Sequence, residues 1–119
     1  PNRMYGQSKL ANALFSLELA RRLQGTTVTS NSLHPGYVET GLFRHYPPSL
    51  TGFRRIFFSS KGVPVEHGAA TSCYVATAPR LAGVSGCYFA DCNPLLPDPR
   101  ASDPAAATRL WELSARLLE

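Results

Sequence analysis

The sequence predicts an α/β chain in which helices alternate with short strands, and three observations carry that reading. A periodic helix over residues 4–23 hands over to a stretch rich in β-branched and small residues, Thr26 to Leu33, that suits a strand. A small-residue helix over Glu66 to Thr77 precedes a short strand, Cys87 to Ala90, set between Gly86 and Asp91. An Asp103-Pro104 pair opens a last helix that is expected to run to the chain end. The expected inventory is three main helices, two strands and one long loop.

In the first helix Leu10, Leu14 and Leu17 fall on one stripe, and Tyr5, Lys9, Asn12 and Ser16 on another. Gly25 is placed to cap its C-terminal end, and Arg21 and Arg22 in the last turn complement the helix dipole without any ligand. The following strand runs into His34-Pro35-Gly36, so this turn lies at a strand's carboxyl end, where open parallel sheets gather their ligands. From Gly41 to about Pro64 no period holds, because Pro47-Pro48, Gly52, Ser59-Ser60 and Gly62 break the chain repeatedly. The loop is apolar, with Leu42, Phe43, Tyr46, Leu50, Phe53, Ile56, Phe57 and Phe58. Long apolar loops serve as lids or binding surfaces, or pack their aromatics as a satellite cluster beneath themselves. Ala78-Pro79 ends the second helix. Asp103 is an N-cap with proline at the first helical position, and Leu110, Leu113 and Leu117 form the expected buried stripe of the last helix. Residues 1–119 are expected to be one unit, without repeat, linker or second domain.

Composition excludes several classes of partner. The net charge of +4, from 12 basic and 8 acidic residues, is dispersed in pairs such as Arg21-Arg22 and Arg54-Arg55, which is not the stripe that nucleic acid requires. The three cysteines, Cys73, Cys87 and Cys92, are odd in number and lack ligand spacing, so they read as reduced and mostly buried thiols of an intracellular protein. His45 and His67 also lack ligand-spaced partners, and no metal site is expected. No apolar run approaches the roughly 18 residues of a membrane span. No G-x-G-x-x-G occurs, and the nine glycines are scattered at turns.

The strongest chemical feature is Tyr5-Gly6-Gln7-Ser8-Lys9, which puts a phenol and an ammonium one helical turn apart. A free tyrosine titrates near pH 10, so acid–base work near pH 7 requires its anion to be stabilised by about 4 kcal/mol. One unit charge about 4 Å away at an effective dielectric of about 20 supplies roughly that amount. Taken alone, Y-x-x-x-K is also a common exposed pair on helix surfaces. The wider context is more specific: Tyr5 to Asn12 reads Y-G-Q-S-K-L-A-N, and His34-Pro35-Gly36-Tyr37-Val38-Glu39-Thr40 follows.

Together these segments resemble the short-chain dehydrogenase/reductase family, in the subgroup of retinol dehydrogenases and the WW-domain-containing oxidoreductase. The resemblance extends through Gly68-Ala69-Ala70-Thr71-Ser72, Gly83 to Phe89 and Leu110-Trp111-Glu112-Leu113-Ser114. It implies the C-terminal half of a Rossmann-type domain, the C-terminal portion of a doubly wound parallel sheet. Tyr5 would exchange a proton with a carbonyl or alcohol, and Lys9 would both lower the phenol's pKa and bind the cofactor ribose. Pro35 and Gly36 would let the backbone pass close to the nicotinamide, with Val38 backbone groups and the Thr40 hydroxyl at its carboxamide. His34 would be a positioning residue, and Asn12 one of packing or local hydrogen bonding. The subgroup implies NADP in preference to NAD, an apolar retinoid- or steroid-like carbonyl or alcohol handled by the 41–64 loop, and a homodimer through the Tyr5-bearing helix. Location is expected to be intracellular, either cytoplasmic or membrane-associated. The family's phosphate loop and catalytic serine lie upstream of the tyrosine and have no counterpart in this sequence, so the chain alone is expected to be inactive. The alternative is a noncatalytic dehydrogenase fragment that acts as an interaction or dimerisation module.

Overall fold

A computed structural model describes residues 2–36 and 65–118. The expected loop over 41–64, with His45, lies outside the described residues, as do Val38 and Thr40. The elements in order are α1 (Asn2–Arg22), β1 (Ser32–His34), α2 (Val65–Thr77), β2 (Tyr88–Ala90), β3 (Asn93–Pro94) and α3 (Pro104–Arg116). Short 3-10 turns at Pro79–Leu81 and Pro99–Ser102 join the later elements. The result is α/β, three helices on a small mixed sheet, as part of a Rossmann-type fold requires.

The sheet order is β1-β2-β3. Strand β1 runs parallel to β2, with Ser32, Leu33 and His34 opposite Tyr88, Phe89 and Ala90. Strand β3 folds back antiparallel, with Phe89 opposite Pro94 and Ala90 opposite Asn93. Side chains alternate across a strand, so the sheet's two faces meet different helices. Phe89 is 1% exposed and meets the Tyr74 ring of α2 edge-on at 6.2 Å between centroids. Burying a phenylalanine in this way stabilises by about 1.5–3 kcal/mol. Ser32 and Tyr88, on the opposite face, line a groove with Ala13 and Leu17 of α1.

Helix α1 ends where the sequence places its end. Gly25 has a φ of +85°, the left-handed cap that glycine adopts without Cβ strain. The expected strand over 26–33 shortens to Ser32–His34, because side chains take over the hydrogen bonding before it. The Thr26 hydroxyl donates to the Leu23 carbonyl and accepts from the Val28 amide. The Ser30 amide donates to the Ser85 hydroxyl, while the Asn31 side chain donates to the Val84 carbonyl and accepts from the Cys87 amide. These bonds fasten the approach to β2 beside the backbone bond from the Gly86 amide to the Ser30 carbonyl at 2.8 Å.

Strand β3 adds to the two strands expected. Its hairpin turn is Asp91-Cys92, with φ of +49° and +58°, and neither residue is the glycine that marks such turns in a sequence. The buried Thr71 hydroxyl of α2 accepts from the Cys92 amide at 3.2 Å and holds the turn from outside.

Two expectations need correction. Leu113 and Leu117 are 52% and 78% exposed, and Leu110 is only half-buried, so the leucine stripe is not the packed face of α3. That face is Ala107, Thr108 and Trp111, because the charged end of α1 occupies it with Glu18 and Arg22. Ser16, on the stripe that also carries Tyr5, is buried, and its hydroxyl lies 3.0 Å from the Ser30 hydroxyl. Cys73 is exposed, and Cys87 and Cys92 are half-buried; all three are free thiols, so "mostly buried" does not describe them. The Asp103 cap is present, its carboxylate accepting from the Ala105 and Ala106 amides.

Candidate active site

The first turns of α1 carry the candidate chemistry. The helix starts at Asn2, so Tyr5 and Lys9 fall one turn apart on one face. Tyr5 is 61% exposed and Lys9 is exposed. The Lys9 ammonium lies 5.4 Å from the centroid of the Tyr5 ring, which holds positive charge against the phenol's π face. Between them, the Ser8 hydroxyl donates to the Tyr5 carbonyl at 2.8 Å, an i to i−3 bond that leaves both functional groups facing outward.

The second candidate feature lies at the carboxyl end of β1. His34 is the last strand residue and is exposed, and Pro35 and Gly36 follow it directly. Gly36 has a φ of +81°, a conformation that L side chains rarely adopt, so the turn after the strand depends on glycine. No hydrogen bond or ring contact joins Pro35 or Gly36 to Tyr5 or Lys9 among the described residues. The Asn12 side chain is exposed and His67 is exposed, and neither takes part in this arrangement.

A groove of about 730 Å³ runs beside the amino-terminal half of α1. Leu10, Tyr88, Leu95 and Leu96 give it an apolar wall, while Arg3 and Lys9 bring positive charge to it. Its rim includes an Asp98–Arg100 pair at 2.9 Å. The Arg100 guanidinium and amide hold the Asp98 carboxyl down at about 2. Leu95, Leu96 and the rim come from the segment after β3, which carries no motif that marks it in the sequence.

A second feature missed at the sequence level is Glu18, which is 1% exposed. Its carboxylate accepts from Arg21 Nε at 2.9 Å and Nη2 at 2.6 Å, from Arg22 Nε at 2.7 Å and from the Thr108 hydroxyl at 3.1 Å. These bonds, led by Arg21, overcome burial and hold the carboxyl at about 2. The spacing of Glu18 to Arg21 and Arg22 was available as an i to i+3 and i+4 signal. Its burial under α3 was not. Arg21 and Arg22 therefore pair with Glu18 in addition to sitting at the helix's C-terminal end.

Fold and sequence together define the class: the chain is a stretch of a short-chain dehydrogenase/reductase. It is 48% identical over 118 residues, 97% of its length, to the short-chain dehydrogenase TIC 32 A, chloroplastic, of Brassica napus. It is 50% identical over 113 residues, 92% of its length, to retinol dehydrogenase 14 of Homo sapiens. Over 118 residues it is 44% identical to the WW domain-containing oxidoreductase of Danio rerio, again covering 97% of the chain. The chain spans 36%, 33% and 28% of those three proteins, about a third of their length. No family model matches it. Among the described residues no helix is long and apolar enough to cross a membrane, and no three His, Cys, Asp or Glu side chains cluster as metal ligands.

Proposed function

We propose that this chain supplies the acid–base and ribose-binding part of an NADP-dependent dehydrogenase/reductase that acts on an apolar carbonyl or alcohol. The observation that carries the reading is the exposed Tyr5–Lys9 pair on α1, with the ammonium 5.4 Å from the ring centroid. The residues present suit the nicotinamide-ribose end of a dinucleotide: an exposed ammonium with three donors for ribose hydroxyls, and a glycine turn at +81° after a strand that admits close approach. The cofactor, when bound, supplies or accepts the hydride. Tyr5 passes its phenolic proton to the substrate oxygen during reduction, or takes one from it during oxidation. Lys9 stabilises the phenolate left behind and holds the ribose, two tasks that a neutral side chain could not combine. Pro35 and Gly36 would form the backbone wall for the nicotinamide, and Val38 and Thr40 would hold its carboxamide. A retinoid-like substrate is supported by the retinol dehydrogenase name of a relative, while the preference for NADP over NAD and the steroid-like alternative rest on the subgroup that the sequence resembles. The apolar wall of Leu10, Tyr88, Leu95 and Leu96 accords with such a substrate.

The test is Tyr5→Phe in the full-length protein. Turnover is expected to fall by at least about 10²-fold, the usual contribution of a general acid or base, while NADPH affinity is kept. Turnover within a few-fold of wild type would defeat the reading.

A second reading, a noncatalytic module that associates through its surface or dimerises through α1, is favoured by the large exposed side chains of Met4 and Tyr5 on that helix. Calorimetric titration of the 119-residue chain with NADPH separates the two readings, since micromolar binding would defeat the second.

A further inference from the structure

Glu18 is a buried carboxylate that the proposed chemistry does not use, and its bonding has an unusual division. An ionised carboxylate offers about four acceptor sites, and Glu18 fills them with four donors. Three of the four bonds come from Arg21 and Arg22 on the same helix and depend on α1 alone. The fourth comes from Thr108, 90 residues away in the sequence, and among the described residues is the carboxylate's hydrogen bond to α3. Around it Trp111 stacks on Phe15 at 5.2 Å and 13° between planes, with the Arg22 guanidinium 4.6 Å from its ring centroid. The hydroxyl of Thr108 therefore reads the angle at which α1 crosses α3.

We propose that the Glu18–Thr108 bond is a positioning clasp for the Tyr5–Lys9 pair, acting through α1 as a rigid lever. The inference rests on the acid–base reading of Tyr5. Helix α1 is continuous over 21 residues with no proline to hinge it. Tyr5 lies thirteen residues from Glu18, about 20 Å at 1.5 Å per residue. A tilt of about 3° at the clasp moves the Tyr5 end by about 1 Å, and misplacement on that scale costs about 10²-fold in rate. Lys9, closer to the fulcrum and on the same helix, moves with Tyr5, so the pair keeps its own geometry and changes only its aim.

The experiment compares Thr108→Val and Thr108→Ser in the full-length protein. Valine keeps the volume and removes the donor, whereas serine keeps the donor. In Thr108→Val, kcat is expected to fall by about tenfold, as a shift of about half an ångström would bring. KM for cofactor and substrate should stay within about twofold, because the pair keeps its own geometry. Thr108→Ser should restore kcat. An unchanged kcat in folded Thr108→Val overturns the clasp, and so does a serine variant as slow as the valine one. A valine variant that does not fold beside a serine variant of normal rate makes Thr108 a stability contact and also overturns it. If the wild-type protein turns over no carbonyl or alcohol, it is the acid–base reading that fails, and the lever is then read without turnover. The ¹⁹F resonance of 3-fluorotyrosine at position 5 should move in Thr108→Val and return in Thr108→Ser; a resonance that stays in place overturns the proposal.

Discussion

At its first turns α1 holds Tyr5 at 61% exposure with Lys9 beside it, whereas thirteen residues further on the same helix holds Glu18 at 1% exposure beneath α3. Both places pair opposite chemistry at helical spacing, an ammonium with a phenol and a carboxylate with two guanidiniums. Only the second is sealed by another element. The comparison teaches that spacing along a helix sets which groups meet, while the neighbouring element decides whether the meeting is presented to a ligand or spent on packing. A charged pair open to solvent can receive a substrate, and a carboxylate with all its acceptor sites filled cannot.

This contrast predicts that changes at the open end alter rate directly, whereas changes at the sealed end alter stability and reach the rate only through the aim of α1. The largest effect is expected from Lys9→Ala in the full-length protein: turnover falls by about 10²-fold or more, KM for the nicotinamide cofactor rises, and the melting temperature stays within about 2 °C, since exposed substitutions are nearly neutral for stability. A large loss of stability with normal turnover would erase the distinction. Next, Trp111→Ala should lower unfolding free energy by about 2 kcal/mol, roughly half the loss for a fully buried aromatic, because Trp111 is half-buried against Phe15 and Arg22. Urea denaturation followed by far-ultraviolet circular dichroism measures it.

The smallest effect is pH dependence at the sealed end. Glu18 is held at about 2 against an ordinary 4.5, so its contribution to stability is complete above about pH 4.5 and is lost as pH falls towards 2. Asp98 acts in the same direction below its ordinary 3.8, yet its pair with Arg100 is exposed and screened and adds little. The urea midpoint should fall between pH 4.5 and 2, and Glu18→Gln should flatten that limb. A limb unchanged in Glu18→Gln would place the acid sensitivity elsewhere.

What could be read from the sequence was local. The start and end of α1, the Gly25 cap, the small-residue helix α2 and the Asp103 N-cap all depend on residues within one or two turns of each other, and the structure has them within two residues of expectation. The juxtaposition of Tyr5 and Lys9 is of the same kind, because 3.6 residues per turn bring i and i+4 together wherever the helix lies. The Pro35-Gly36 turn was legible too, although its relation to Tyr5 was not. The family resemblance carried the reach from these local features to the short-chain dehydrogenase/reductase family, and the relatives bear out that family.

What the tertiary structure decided lies between segments distant in the chain. A run of leucines at helical spacing predicted one face of α3, but Thr108, Ala107 and Trp111 face α1 because a carboxylate and a guanidinium needed partners there. The strand before His34 shortened because Ser85 and the Asn31 side chain met across 53 to 56 residues. The Asp91-Cys92 turn adopted a left-handed backbone without glycine because Thr71 of another helix held it. Periodicity states which residues share a face; only the packed chain states what that face meets. By itself the sequence determined the helices, their caps and the phenol–ammonium pair, and the tertiary structure decided which charges would be buried, since desolvation depends on every element that covers a group.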